Sequence, residues 1–251
     1  MKKRGIQINK AMIVTILALA WPTMLEQLMQ TAVQYVDTAM VGTLGTQATA
    51  AVGATGTVSW LVGSTISAVG VGFLAYISQA CGAGDQEKAK RASSQSVLAV
   101  LILGSFFTLV TTGLSGLIPV WMQVDPSIRT MASQYFFILY APMLFRTATI
   151  IFGTILRAVG DSKTPMRVGL WVNVINVVLN LLLIFPSRTV TLWGLSFWMP
   201  GAGWGVIGAA VASAIAFAAG GIIITVKRSF GSLTWRPSPT RICAVSWTIS
   251  A

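Results

Sequence analysis

The chain has 251 residues, 55% hydrophobic and 9% charged, with mean hydropathy +0.76 and a formal charge of +11. A water-soluble domain carries about 25% charged residues, so this composition excludes a fully solvated surface and makes lipid much of the solvent. The Lys and Arg residues sit in short stretches between apolar runs, not on one aromatic-rich face. That pattern excludes a nucleic-acid partner and points to a multi-pass protein in the lipid bilayer.

Six apolar spans follow one another, at residues 11–41, 49–79, 96–120, 131–156, 165–185 and 203–226. A helix crosses the hydrocarbon with about 20 apolar residues, and only helices satisfy their own backbone there. The sequence therefore predicts an all-α, polytopic membrane bundle of six transmembrane helices at residues 11–226. Residues 1–10 form a basic cytoplasmic N-terminus without a cleavage site, and 227–251 a cytoplasmic tail. The first two spans exceed what a bilayer needs and are expected to tilt or protrude. Pro22, inside the first, predicts a kink because it lacks an N–H donor.

Fourteen of the 17 Lys and Arg residues fall in the N-terminus, the loops after spans two and four, and the tail. Only Arg129 and Arg188 lie on the other side, and Arg146 lies within span four. Both termini are thus expected in the cytoplasm of a cell (inner) membrane. The outer segment at 186–203 holds Trp193 and Trp198, with Trp204 just beyond, suited to the interfacial belt.

The first span carries Thr23, Glu26, Gln27, Gln30, Gln34 and Asp37. At about 100° per residue these share an arc of about 100°, so this stripe faces a bundle interior or water. Acids inside a membrane are expensive and are functional candidates by default. Asp37, toward the outer end, and Glu26 are the candidate proton- or cation-coupling groups, although interhelical hydrogen bonding is an alternative role. Gln30 and Gln34 are candidate cavity residues.

Span two places Gly56, Gly63 and Gly70 seven apart, and span six has Gly208, Ala212 and Ala216. Both patterns predict close helix packing. In span four, Tyr140 is a candidate cavity residue, and Arg146 is expected to pair with Glu26 or Asp37 or to snorkel along its stem. In span five, Asn173, Asn176 and Asn180 lie at i, i+3 and i+7 on one face. Their amides can bind a substrate, a carboxylate or a cation.

The inner loops at 82–91 and 157–167 each contain Gly-Asp in basic surroundings. Gly suits the turn, and Asp85 and Asp161 are positioned to cap the next helix. Neither loop has the glycines of a phosphate cradle. Cys81 and Cys243 make no disulfide framework, and the chain has no histidine, so no His-based metal site or triad can form within it. An intramembrane protease would also need a catalytic dyad, for which there is neither a histidine nor a paired-aspartate constellation.

Five pieces, in order and spacing, resemble the multidrug and toxic compound extrusion (MATE) family. They are WPTMLEQLMQTAVQYVDTAMVGTLG (21–45), QACGAGD (79–85), LRAVGDSKTPM (156–166), NVVLN (176–180) and GVIGAAVAS (205–213). The resemblance implies one lobe of a twelve-helix, two-lobe secondary transporter that exports small organic, often cationic, compounds in exchange for H+ or Na+. It implies no cofactor beyond that ion. The family's first-helix acid falls on Asp37, polar positions of its fifth helix on Asn176 and Asn180, and a sixth-helix hydroxyl on Ser213. In one branch the position of Asn180 is an aspartate that works with the first-helix acid. Asparagine here leaves Asp37 as the principal titrating group. Family members have about twelve helices, so the chain is expected to be an N-terminal half from a truncated or frameshifted product. Its partner would be the C-terminal lobe or, in a homodimer, a second copy. A transport-inactive structural fragment and a lipid-linked oligosaccharide flippase are the alternative readings.

Overall fold

The computed structural model of this chain describes residues 10–192 and 195–233. Trp193, Cys243, Arg236, Arg241 and the charges at positions 2–4 lie outside the described residues. Eight helices and one hairpin follow in order: α1 Lys10–Gly42, α2 Thr46–Gly82, α3 Gln86–Gly113, α4 Ile118–Trp121, α5 Pro126–Tyr140, α6 Met143–Ala158, α7 Lys163–Leu183, β1 Pro186–Leu192, β2 Leu195–Ala202 and α8 Gly205–Leu233. Among the described residues α2, α3, α7 and α8 are long and apolar enough to cross a bilayer, and α5 with α6 makes a fifth span bent by 48°. α1, 33 residues long or about 50 Å, carries the polar stripe. The result is the expected membrane helix bundle.

Three features depart from the sequence expectation. The third span was expected at 96–120, but α3 starts at Gln86 and stops at Gly113, and the short α4 follows a turn. The fourth was expected unbroken over 131–156. It breaks at Ala141–Pro142, because Pro142 has no N–H for the helix ladder and its ring clashes with the preceding turn. The outer segment is an antiparallel hairpin, pairing Arg188 with Met199 and Thr189 with Trp198. Alternating Thr and apolar residues in β1 carry the two-residue period of a strand. Trp198 and Trp204 are exposed there.

The two inner Gly-Asp loops are one device used twice. Gly84 (φ +75°) and Gly160 (φ +87°) adopt the left-handed conformation that ends a helix. The next amide turns back onto the helix, Asp85 N–H to the Ala80 carbonyl at 3.0 Å and Asp161 N–H to that of Leu156 at 2.9 Å. Each aspartate then accepts an amide of the following helix, from Lys88 and Thr164, both at 3.0 Å. Asp125 caps α5 just before Pro126. The Ser127 hydroxyl and amide hold its carboxyl below the usual carboxylate range.

α6 is the central element, packed on α8, α2 and α3, while α1 leans chiefly on α7. Small residues set these approaches. A Cβ at Gly221 would lie 2.6 Å from the Phe145 carbonyl oxygen, and one at Gly208 2.5 Å from that of Leu183. Of the α2 glycines, Gly70 faces Thr154 and Gly63 faces Arg146, whereas Gly56 has open space. Ala212 and Ala216 are fully buried, as expected.

Arg146 pairs with neither acid named for it. Glu26 instead meets Arg157 at 2.6 Å, with side-chain exposures of 11% and 26% respectively. Gly169 on α7 faces the Glu26 side chain, and a Cβ there would be in ordinary contact with it at 3.4 Å from Cγ. The pair ties α1, one turn beyond Pro22, to the C-terminal end of α6.

Two outcomes follow from this packing. Gly221→Ala forces α6 and α8 apart and lowers stability by about 1–3 kcal/mol, whereas Gly53→Ala, with nothing within 4 Å, leaves it unchanged or slightly higher. Thermal unfolding in detergent, followed by size exclusion, separates the two. Arg157→Ala strands a largely buried carboxylate and costs somewhat less than the about 3–5 kcal/mol of a fully buried pair. The exchange Glu26→Arg with Arg157→Glu recovers part of that loss in the same assay.

Candidate functional site

α1 and α7 touch at two levels with the same separation. Glu26 meets Gly169, and Asp37 meets Asn180. Each step is eleven residues, three helical turns or about 16 Å of rise, so the same faces meet again at the upper level. There Asp37, Asn176, Asn180 and Ser213 converge from α1, α7 and α8.

Asn180 Nδ2 donates to Asp37 Oδ1 at 2.5 Å. Asn176 lies between Asp37 and Ser213, and the orientation with its nitrogen toward Asp37 satisfies both of its sides. With its nitrogen toward Asp37, it donates to both carboxylate oxygens, at 2.9 and 3.1 Å, and its carbonyl accepts from the Ser213 hydroxyl at 3.0 Å. With its carbonyl toward Asp37, Nδ2 donates to Ser213 Oγ at 3.0 Å and Oδ1 accepts from Asn180 at 3.2 Å. The first suits an ionised carboxylate, which only accepts. The second suits a protonated one, whose O–H donates to the amide carbonyl.

Asn176, Asn180 and Ser213 are buried, and Asp37 is half-buried. Asn180 Oδ1 is buried and has no hydrogen-bond partner among the described residues. It is an oxygen donor left over beside a carboxylate. Within the described residues no group of three His, Cys, Asp or Glu side chains gathers, so a cation here would rely on carboxylate, amide and hydroxyl oxygens.

The other sequence candidates stand apart. Glu26 is three turns below Asp37 in its ion pair. Gln30 and Gln34 are exposed on α1, and the same helix lines a shallow cavity of about 460 Å³ with Thr23, Gln27 and Thr31. Tyr140 is fully buried, stacked on Phe136 with centroids 4.3 Å apart, and donates to Ser59 Oγ at 2.6 Å. Asn173 Nδ2 is buried without a partner two turns below Asn180.

Sequence reasoning did not reach Tyr135, which is buried within electrostatic range of both Asp37 and Arg146. It also did not reach Arg157 as the partner of Glu26. Neither residue is marked by composition or period; both become visible only once α5 and α6 are placed against α1.

The family model described as MatE matches residues 22–182. The chain is 28% identical over 210 residues to a protein of Thermotoga maritima named "Probable multidrug resistance protein NorM", covering 84% of this chain and 43% of the relative. It is 31% identical over 170 residues to one of Bacillus subtilis named "Probable multidrug resistance protein YpnP", covering 66% and 38%. Among solved structures it is similar to a crystal structure of MATE in complex with MaD3S, with TM-score 0.75, 26% identity, 85% of this chain and 46% of that one. It is also similar to an outward-facing multidrug resistance MATE family transporter of the MOP superfamily, with TM-score 0.74, 27% identity, 85% and 45%. The chain spans less than half the length of these curated relatives and structures. It carries the fold of roughly their N-terminal half, and it belongs to the MatE family.

Proposed function

We propose that this chain is the N-terminal lobe of a secondary antiporter that exports small organic, often cationic, compounds across the cell membrane in exchange for protons or sodium. The coupling group is Asp37. The observation that carries this reading is the meeting of Asp37 with Asn176, Asn180 and Ser213 inside the lobe. The names of the relatives support multidrug efflux as the direction of the activity. A transporter needs no bond-making group, and the site supplies an ion-binding and hydrogen-bonding one.

The ionised Asp37 accepts from Asn180 and from the nitrogen of Asn176. A proton arriving at Asp37 removes the charge and turns one acceptor into a donor. The Asn176 amide then reverses, and the Ser213 hydroxyl changes from donor to acceptor. Such a switch changes how α1 is held to α7 and α8. Transport follows only if the compound and the ion bind the inward- and outward-open states differently. Sodium fits the same place through Asp37, the free Asn180 oxygen and the Asn176 carbonyl. The missing half of the cavity comes from a C-terminal lobe or a second copy of this chain. The positive-inside pattern supports cytoplasmic termini.

Asp37→Asn, in the transporter that contains this chain, lowers ion-driven dye uptake into inverted vesicles to the level of empty vesicles. Asn180→Leu lowers it about tenfold or more, as expected for a lost charge-assisted hydrogen bond. Imposing a pH gradient and a sodium gradient separately identifies the ion. Uptake by Asp37→Asn at the wild-type rate under both gradients overturns the assignment.

A further inference from the structure

Arg146 is the charge that the coupling cluster leaves unused. It lies four residues past the Ala141–Pro142 break, in the middle of the bent span. About 18 Å of helix separates it from Ala158 at the cytoplasmic end, and the hydrocarbon is about 30 Å thick. At that depth its stem cannot carry the head group to either interface.

The guanidinium points between helices of its own lobe. It lies 4.8 Å from the centroid of the Phe217 ring on α8. Its Nη2 faces Gly63 on α2, where a Cβ would lie 3.9 Å away. From α5, Tyr135 and Tyr140 lie within electrostatic range. Among the described residues its five donors make no hydrogen bond and no ion pair; the Phe217 ring is its one close partner.

Among the described residues no carboxylate pairs with it. The chain has six acids, and all six are described. Asp85, Asp125 and Asp161 cap helices. Glu87 pairs with Arg91 and Glu26 with Arg157. Asp37 is held by Asn180. A cation so deep in a membrane protein faces a ligand pathway or a partner charge, and here no acid of the described residues reaches the guanidinium, which leaves its donors open to a ligand. α6 packs on α8, α2 and α3, and the partly exposed Arg146 lies between α8 and α2, so such a ligand reaches it between the helices of the lobe.

We propose that Arg146 is the binding site for an anionic group, a carboxylate, sulfonate or phosphate, of an aromatic compound that enters the lobe. Arg grips such oxygens with two parallel N–H donors. The Phe217 ring beside the guanidinium offers the aromatic compound a flat neighbour. The inference deepens the transport reading, on which it rests for the word substrate. It assigns anionic and zwitterionic compounds, where the coupling cluster alone favours cations.

The test uses a xanthene dye with a free carboxylate and the methyl ester of the same dye. Both are titrated by fluorescence anisotropy against the purified protein and followed in vesicle efflux. Wild type prefers the acid. Arg146→Gln binds the acid about tenfold or more weakly and the ester unchanged, and Arg146→Lys recovers part of the difference. Equal binding of the acid by wild type and Arg146→Gln overturns the proposal. So does an equal loss of both dyes at an unchanged melting temperature, which makes Arg146 a positioning residue. Should Arg146→Gln fail to fold, Arg146→Lys decides, since it keeps the charge and loses the two-pronged grip. Added phosphatidylglycerol that abolishes the acid's advantage in wild type alone keeps the anion site and makes a lipid phosphate its occupant. Acid preference without any efflux by wild type removes the transport reading and leaves the anion site standing.

Discussion

A charge inside the hydrocarbon is tolerated only where the protein replaces the water it has lost. Four charged side chains lie deep in this bundle, and the protein treats them in three ways. Glu26 and Arg157 neutralise each other at 2.6 Å. Asp37 is met by two amides, with the Ser213 hydroxyl behind Asn176, neutral groups that can follow its charge by reversing donor and acceptor. Arg146 has an aromatic face and no acid. Only the first arrangement is static. An ion pair has one good geometry, whereas an amide cluster has two, and a lone cation waits for a partner.

The close packing of the helices makes these differences matter. α6 approaches α8 across Gly221 and α3 across Gly104, where an added Cβ would meet Leu144 at 2.5 Å. In lipid there is little hydrophobic drive between helices, so such small-residue contacts and a few polar ones hold the lobe together. α1 is the exception. It leans on α7 through Glu26 and Asp37 and exposes Trp21, Met24, Leu28 and Tyr35. The element that carries Asp37 thus leans chiefly on one neighbour, α7, and polar groups take part in that contact.

The long spans were legible because lipid permits little else, and their ends at the inner side were legible because Gly-Asp spells a helix stop followed by a cap. The break at Pro142 was visible as a proline but was absorbed into one apolar run. The outer hairpin was hidden because seven- and eight-residue strands look like interfacial loops in a chain otherwise read for helices. At the site, periodicity found the face of α7 but not the level: Asn173 and Asn180 share a direction within about 20°, yet stand about 10 Å apart along the axis. Asn176, Asn180 and Ser213 were singled out together by resemblance, not by spacing. The partner of Glu26 was not legible at all, because 131 residues separate it from Arg157.

Asparagine at position 180 has a further consequence. Two carboxylates this close to each other cannot both remain ionised, so an acid at 180 would make a pair that shares protons between two sites. An amide donates one hydrogen bond to Asp37 and keeps a buried oxygen free. In the proposed cycle this reduces the lobe to one titrating carboxylate, and therefore to one proton, or one cation of matching charge, per turn of this lobe. The charge that the organic compound must complement then alternates between one and none at Asp37, while the charge at Arg146 stays fixed. A compound that touched both would meet a net cation in one half of the cycle and a balanced pair in the other. That difference between the two states is what an exchanger needs in order to bind on one side and release on the other.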